Sequence, residues 1–312
     1  MSELTKSRLY IYSLALLAML FWGLSFVWTA VLLKYYDPFT ILFIRLSLSS
    51  LLLLGWLKLT KKLKMIRKED AGLFFLSSLF NPFLYFIGEN FGILYTSPTI
   101  SAVIIATIPV FTPLAAYYAL RERLSAFNYA GLLLSFIGIL VMLIKPDLSF
   151  TASPLGIFLL MSAVASAIAY SVYLKKLATR YSAIMIIAVQ NFLGAICFLP
   201  FFLIFGLGTF VSVTMNLQII SSMLALAVFA SSLAFIFFTI STREIGITRT
   251  NVFTNTIPVF TAVFSYFVMD EYFDIGKIIG MMIVILGVAL SQIGIQKQIT
   301  LVQRIQRIFE KK

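Results

Sequence analysis

Two ionisable side chains stand well inside long apolar runs: Arg45 and Glu89. In hydrocarbon a lone charged group is costly, so by default it marks a site of function. Arg45 lies seven residues past Pro38, and Glu89 lies six before Tyr95. At 1.5 Å per helical residue, both sit about 9–10 Å below the same ends of their helices. Equal depth permits three roles: an ion pair bracing two helices, recognition of a charged substrate, or a protonation switch. Polar groups recur around them. Asn81, Tyr85 and Glu89 fall at i, i+4 and i+8, which places them on one helical face. Asn251 and Asn255 repeat that spacing just before Pro258. Trp22, Ser25 and Thr29 share one face, as do Ser166, Tyr170 and Tyr173. Aromatics at mid-span suit an amphipathic organic molecule better than an ion, although helix packing accounts for each of them equally well. The candidate binding set is Trp22, Ser25, Arg45, Asn81, Tyr85, Glu89, Tyr170, Asn251 and Asn255.

Other chemistry has little to work with. The chain has no histidine and one cysteine, Cys197, inside an apolar run. A zinc or haem site therefore has no ligand set. No GxxxxGK[ST] loop is present to cradle a nucleotide. An intramembrane enzyme needs a nucleophile with a base, a carboxylate pair or a metal, and Glu89 has no second buried acid at a fitting spacing. No cofactor is expected.

The elements that must carry these residues are membrane helices. Of the 312 residues, 61% are hydrophobic and 12% charged, with a mean hydropathy of +1.02; a soluble domain has about 25% charged residues. Stretches of about 20 apolar residues cross a bilayer. Ten are predicted: 9–33, 38–57, 71–94, 98–119, 126–144, 154–174, 182–206, 217–242, 248–269 and 274–295. With the N-terminus in the cytoplasm, twenty Lys and Arg fall in inside segments and three (Lys34, Lys145, Lys277) in outside loops. That is the positive-inside pattern. It accounts for the net charge of +12 without a nucleic-acid partner. Both termini are expected in the cytoplasm, the protein in the cytoplasmic (inner) membrane. The basic tail, 296–312, has apolar residues at helical spacing and is expected to lie on the anionic leaflet.

The chain is also one unit used twice. Shifted by 149 positions, residues 106–144 and 255–293 share eleven identities in thirty-nine, among them Pro109/Pro258, Glu122/Glu271, Gly131/Gly280 and Gly138/Gly287. A unit of five helices is odd, so its second copy enters the membrane inverted. The loops agree: Arg121-Glu122-Arg123 is basic, whereas Asp270-Glu271 with Asp274 is acidic. The expected units are 9–144 and 154–295. Inverted repeats are the build of secondary transporters and argue against a receptor or scaffold. Pro109 and Pro258, expected near mid-membrane in matching helices, are candidate hinges. The paired glycines are expected to pack helices closely, and a homodimer through helices 5 and 10 is a second use for them.

Phe21-Trp22-Gly23 followed by Lys34, Pro38 and Arg45, and the run Thr-Ile-Pro-Val-Phe-Thr with a Glu at the turn and paired glycines closing each half, resemble the drug/metabolite transporter superfamily, in its EamA-type branch. The resemblance spans about residues 10–294. It implies an all-α integral membrane protein of ten transmembrane helices, two inverted five-helix repeats around a central cavity, exporting amino acids or related metabolites. A broad drug exporter is the alternative. The second half departs from the pattern, with Ala169-Tyr170-Ser171 near where a Trp-Gly is expected.

Overall fold

The computed structural model describes residues 3–111, 126–143, 152–246, 250 and 253–290. These form helices and connecting turns, with no strand among the described residues. Among the described residues, six helical runs are long and apolar enough to cross a membrane: α1 (Leu9–Leu32 of the longer Glu3–Leu32), α2 (Pro38–Leu59), α3 (Lys68–Tyr95), α6 (Pro154–Ala178), α7 (Ala183–Ser212) and α8 (Leu217–Ile245). Four shorter apolar helices are α4 (Pro98–Ile105), α5 (Ala126–Leu143), α9 (Ile257–Met269) and α10 (Ile275–Leu290). The tail 296–312, Asn251 and the turn around Glu122 lie outside the described residues.

The helix ends follow local chemistry. Asp37 caps α2, its carboxylate accepting from the Phe39 and Thr40 amides at 2.9 and 3.1 Å, with Pro38 in the first turn. Ser182 caps α7 and Asn216 caps α8 in the same manner; such caps satisfy amides that the helix leaves unpaired. Gly246, at φ +84°, ends α8 in a conformation that only glycine adopts freely. Gly206 does not end α7 as predicted. The helix continues through a π-helical turn, Phe202–Gly206, to Ser212. A Cβ at Gly206 would meet Asp37 and Thr40, so this glycine permits close approach to α2.

Two further helices are interrupted by π-helical backbone. In α3 it covers Leu79–Leu84, with Asn81 extended at φ −145°, ψ 117° beside Pro82. In α8 it covers Leu226–Ala234. Side chains answer the displaced carbonyls. Ser166 donates to the Phe80 carbonyl at 2.7 Å, Asn191 to the Ser231 carbonyl at 2.9 Å, and Ser232 to the Ala227 carbonyl at 2.8 Å. Irregular backbone at membrane depth survives only with such partners or beside a cavity.

The chain divides into two compact units, Met1–Ile105 with Ala152–Tyr272 and Ala106–Thr151 with Phe273–Lys312. In the first, glycines bring α3 against α6: a Cβ on Gly88 would lie 2.9 Å from the Ala163 Cβ, and one on Gly156 2.9 Å from the Tyr95 Cβ. In the second, α5 and α10 meet glycine to glycine. A Cβ on Gly138 would lie 2.8 Å from the Gly280 carbonyl, and one on Gly287 2.8 Å from the Gly131 carbonyl. The paired glycines therefore join these two helices within one chain. The outer faces stay apolar and exposed, as at Leu133, Phe136, Met282 and Leu286. Such a surface suits lipid.

Candidate functional site

The site is built in the first unit around Arg45, one of its largest fully buried side chains, 1% exposed. Its Nε donates to the Ser231 hydroxyl at 2.9 Å, and its guanidinium lies over the Phe86 ring, 4.3 Å from the centroid. Nη1 is buried with no hydrogen-bond partner. Ser49, one turn along α2, bonds Ser232 at 2.6 Å and accepts from Asn191 at 2.7 Å. The π-helical stretch of α8 thus presents Ser231 and Ser232 to α2, and Asn191 of α7 ties the two together. An aromatic path leads from there to α1: Phe86 neighbours Phe235 at 6.3 Å between centroids, and Phe235 meets Trp22 edge-on at 4.9 Å.

Glu89 and Tyr85 are buried on the same turn-to-turn face of α3, and both interact electrostatically with Arg45. A direct Arg45–Glu89 ion pair, one of the roles expected from equal depth, is absent: the ion pairs within 4.0 Å among the described residues are Arg67–Glu69 and Arg180–Asp70. Arg45 instead takes its short contacts from α8, because the π-helical turn brings Ser231 to its Nε. The shared face expected for Asn81, Tyr85 and Glu89 also fails at its first member. Asn81 has extended backbone, so the 3.6-residue period restarts after Pro82. Asn81 remains buried and makes no side-chain hydrogen bond among the described residues.

Trp22, Arg45, Tyr85 and Glu89 are brought together. Tyr170 belongs to an adjacent cluster, donating to Gln190 at 3.2 Å, while the Gln190 amide bonds Ser77. Ser25 is buried, with its hydroxyl on the Trp22 carbonyl of its own helix at 2.7 Å. Asn255 stands apart in a 3-10 turn, Phe253–Thr256, with its Oδ1 buried and unpartnered. Pro258 is therefore not in the middle of a helix. It occupies the first turn of α9, where a proline loses no backbone bond. Pro109 likewise follows a break, a turn at 106–107 after which helical backbone resumes. Sequence reasoning missed Gln190, Asn191, Ser231 and Ser232. An adjacent Gln-Asn pair inside an otherwise apolar 19-residue helix was the available signal.

A second polar cluster lies at the opposite ends of the helices. Asp70, fully buried, accepts from Arg180 and, at 2.8 Å, from the Tyr181 hydroxyl. Tyr181 also accepts from the Arg67 amide at 3.2 Å. Burial raises the Tyr181 phenol above its ordinary pKa, which keeps it a neutral donor to Asp70.

Apolar helices that turn a few charged and amide groups inward define a multi-pass membrane protein of transporter type. The EamA-like transporter family matches this chain twice, over residues 9–144 and 154–292, and the chain belongs to that family. It is similar to an uncharacterized transporter of Archaeoglobus fulgidus, 27% identical over 278 residues covering 88% of this chain and 94% of the relative. It is also similar to the uncharacterized transporter YcxC of Bacillus subtilis, 23% identical over 92% and 94% of the two chains. A solved crystal structure shares the fold with a TM-score of 0.61 at 16% identity, covering 88% of this chain and 97% of that one.

Proposed function

We propose that the protein is a secondary transporter that exports amino acids or related small metabolites across the cytoplasmic membrane by alternating access. Ten spans, both termini inside, and two inverted five-helix repeats about a central cavity complete the reading. The observation that carries it is the Arg45 guanidinium, buried between Ser231 of α8 and Phe86 of α3 with Nη1 unpartnered. A fixed donor in low dielectric is suited to a carboxylate. Trp22, Phe86 and Phe235 supply apolar contact, and Tyr85, Glu89 and Asn81 further polar contacts; Asn251 and Asn255 complete the set from sequence. The repeat reading draws support from the irregular backbone. The 149-residue shift carries 79–84 onto 228–233, within the π-helical stretch Leu226–Ala234, and carries the turn at 106–107 onto 255–256, within the 3-10 turn Phe253–Thr256. Both prolines then stand where a broken helix would flex.

The test is counterflow of labelled amino acids in liposomes. Arg45→Leu is expected to abolish exchange of carboxylate-bearing solutes, with the Arg45→Leu/Glu89→Leu protein as the folded control in which no charge is left buried. Arg45→Lys is expected to restore exchange only in part, since an ammonium lacks the planar fork. Wild-type exchange by Arg45→Leu removes Arg45 from recognition. The second reading, a broad drug exporter, rests on the Trp22–Phe235–Phe86 path; it predicts efflux of lipophilic cations that is indifferent to Arg45.

A further inference from the structure

Asn90 of α3 and Thr29 of α1 are fully buried, and neither side chain has a hydrogen-bond partner among the described residues. Both the Nδ2 and the Oδ1 of Asn90 are open, as is the Thr29 hydroxyl. An amide between packed membrane helices ordinarily clamps them together, and a helical threonine can bond the carbonyl four residues back. Here neither bond is made. A buried polar group without a partner is costly, so these groups call for one that the chain itself does not supply.

Their neighbours along each helix show which way they point. On α3, Gly88 and Gly92 lie against α6, where an added Cβ would meet Ala163 and Leu160. Asn90 is two residues from each glycine, hence on the opposite face. It shares that face with Phe86, one turn back, and Ile93, one turn on. Phe86 lies beneath the Arg45 guanidinium and beside Phe235. Ile93 lines a cavity of about 350 Å³ at the ends of α1 and α3, together with Ala30 and Leu33. Thr29 holds the matching place on α1. Trp22, two turns back, meets Phe235, and Leu33, one turn on, lines the same cavity. Two stripes thus run from the Arg45 site to one cavity, with the open amide and hydroxyl between. Along α3 the amide stands one turn, about 6 Å, nearer that cavity than Phe86.

We propose that Asn90 and Thr29 are specificity-determining contacts for the transported solute. With its carboxylate on Arg45, the solute meets them with an uncharged group that both donates and accepts, a side-chain hydroxyl or carboxamide. An ammonium would answer only the Oδ1 of Asn90, and a second carboxylate only the Nδ2. An apolar side chain would answer neither, and a site built to hydrogen-bond a solute rejects the analogue that leaves its buried groups unpaired. The solute's passage rests on the transport reading; its selective binding is measured without flux.

The experiment measures equilibrium binding to the full chain in detergent. The probes are glutamine and threonine, with methionine and valine as apolar counterparts of similar size. Glutamine and threonine are each expected to bind roughly tenfold or more tightly than their counterparts. Asn90→Leu and Thr29→Val keep the shape of the side chains and remove their polar atoms. Asn90→Leu should abolish the preference and Thr29→Val should reduce it. Without solute, Asn90→Leu should unfold at the same temperature or higher, because no bond is lost and an unpaired amide is removed. A lower unfolding temperature would reveal a partner within the protein and overturn the proposal. So would an unchanged preference in either variant, equal binding of polar and apolar probes by the wild type, or binding of none of the four. Counterflow in liposomes is read beside these results. Selective binding without counterflow supports the Asn90 contact and defeats the transport reading; counterflow with no polar preference does the opposite.

Discussion

Arg45 is stabilised by one hydroxyl, one aromatic face and the charge of a carboxylate beyond contact range. Glu89→Gln removes that charge from a site where water cannot compensate. It is expected to cost about 1–3 kcal/mol, seen as a lower unfolding temperature in detergent, or to reduce flux. The double change Arg45→Leu with Glu89→Leu should recover folding because no charge is then left buried. Normal transport by that double variant makes both residues structural; a folded protein without transport supports recognition. Asp70 poses a different case. It is fully buried while its partner Arg180 is about half exposed, so solvent screens the ion pair and the hydrogen bonds carry more of its value. Asp70→Ala leaves the Tyr181 hydroxyl without its acceptor, at a cost of about 1–3 kcal/mol. Thermal unfolding of Asp70→Ala beside Arg180→Ala checks this, with the larger loss expected for Asp70→Ala.

At the scale of elements, small residues decide which helices touch. An added methyl at Gly88 would press on the Ala163 Cβ at 2.9 Å and on the Leu159 carbonyl, both fixed to α6. Overpacking of this kind costs about 1–3 kcal/mol, so Gly88→Ala should lower the unfolding temperature. Gly55→Ala, where a Cβ meets open space, should not. Pro258 works through the discontinuity before it. In the first turn of α9 a proline stiffens the helix start without losing a bond. Pro258→Ala is expected to leave folding and equilibrium substrate binding near normal and to slow single-turnover flux, by letting the 3-10 turn Phe253–Thr256 anneal into continuous helix. Unchanged flux with unchanged binding would retire the hinge and leave the break as shape alone.

Across the whole molecule the governing quantity is the distribution of charge. The proposed orientation, with the N-terminus inside, rests on twenty basic residues in inside segments against three in outside loops. Single cysteines at Ser149 and Ser212 should react with an impermeant maleimide from outside, and those at Lys64 and Arg123 only after permeabilisation. The reverse labelling of either pair would sink the proposed orientation. The exposed faces of α5 and α10 remain available for a homodimer, since their glycines are engaged with each other. Cross-linking in native membranes through Leu133→Cys or Met282→Cys tests that contact.

Membrane class, helical runs and most helix ends were legible in the sequence, because span length, charge and capping act over a few residues. Asp37, Ser182, Asn216 and Gly246 end or begin helices by contacts within four positions of themselves. Arg45, Tyr85 and Glu89 were legible for a related reason: a polar group in an apolar run is anomalous wherever the chain places it. Their partners were not. Ser231 reaches Arg45 across 186 residues, and the serine that answers the Phe80 carbonyl comes from α6. Helical periodicity misplaced Asn81 and Pro258, because it assumes a regular backbone and both stand beside breaks. A break costs unpaired carbonyls and amides, and a nearby helix must supply the bonds. Local sequence thus determined where the chain crosses the membrane and which groups are out of place in it. Tertiary packing decided which groups meet, because only a second helix can satisfy what the first leaves open.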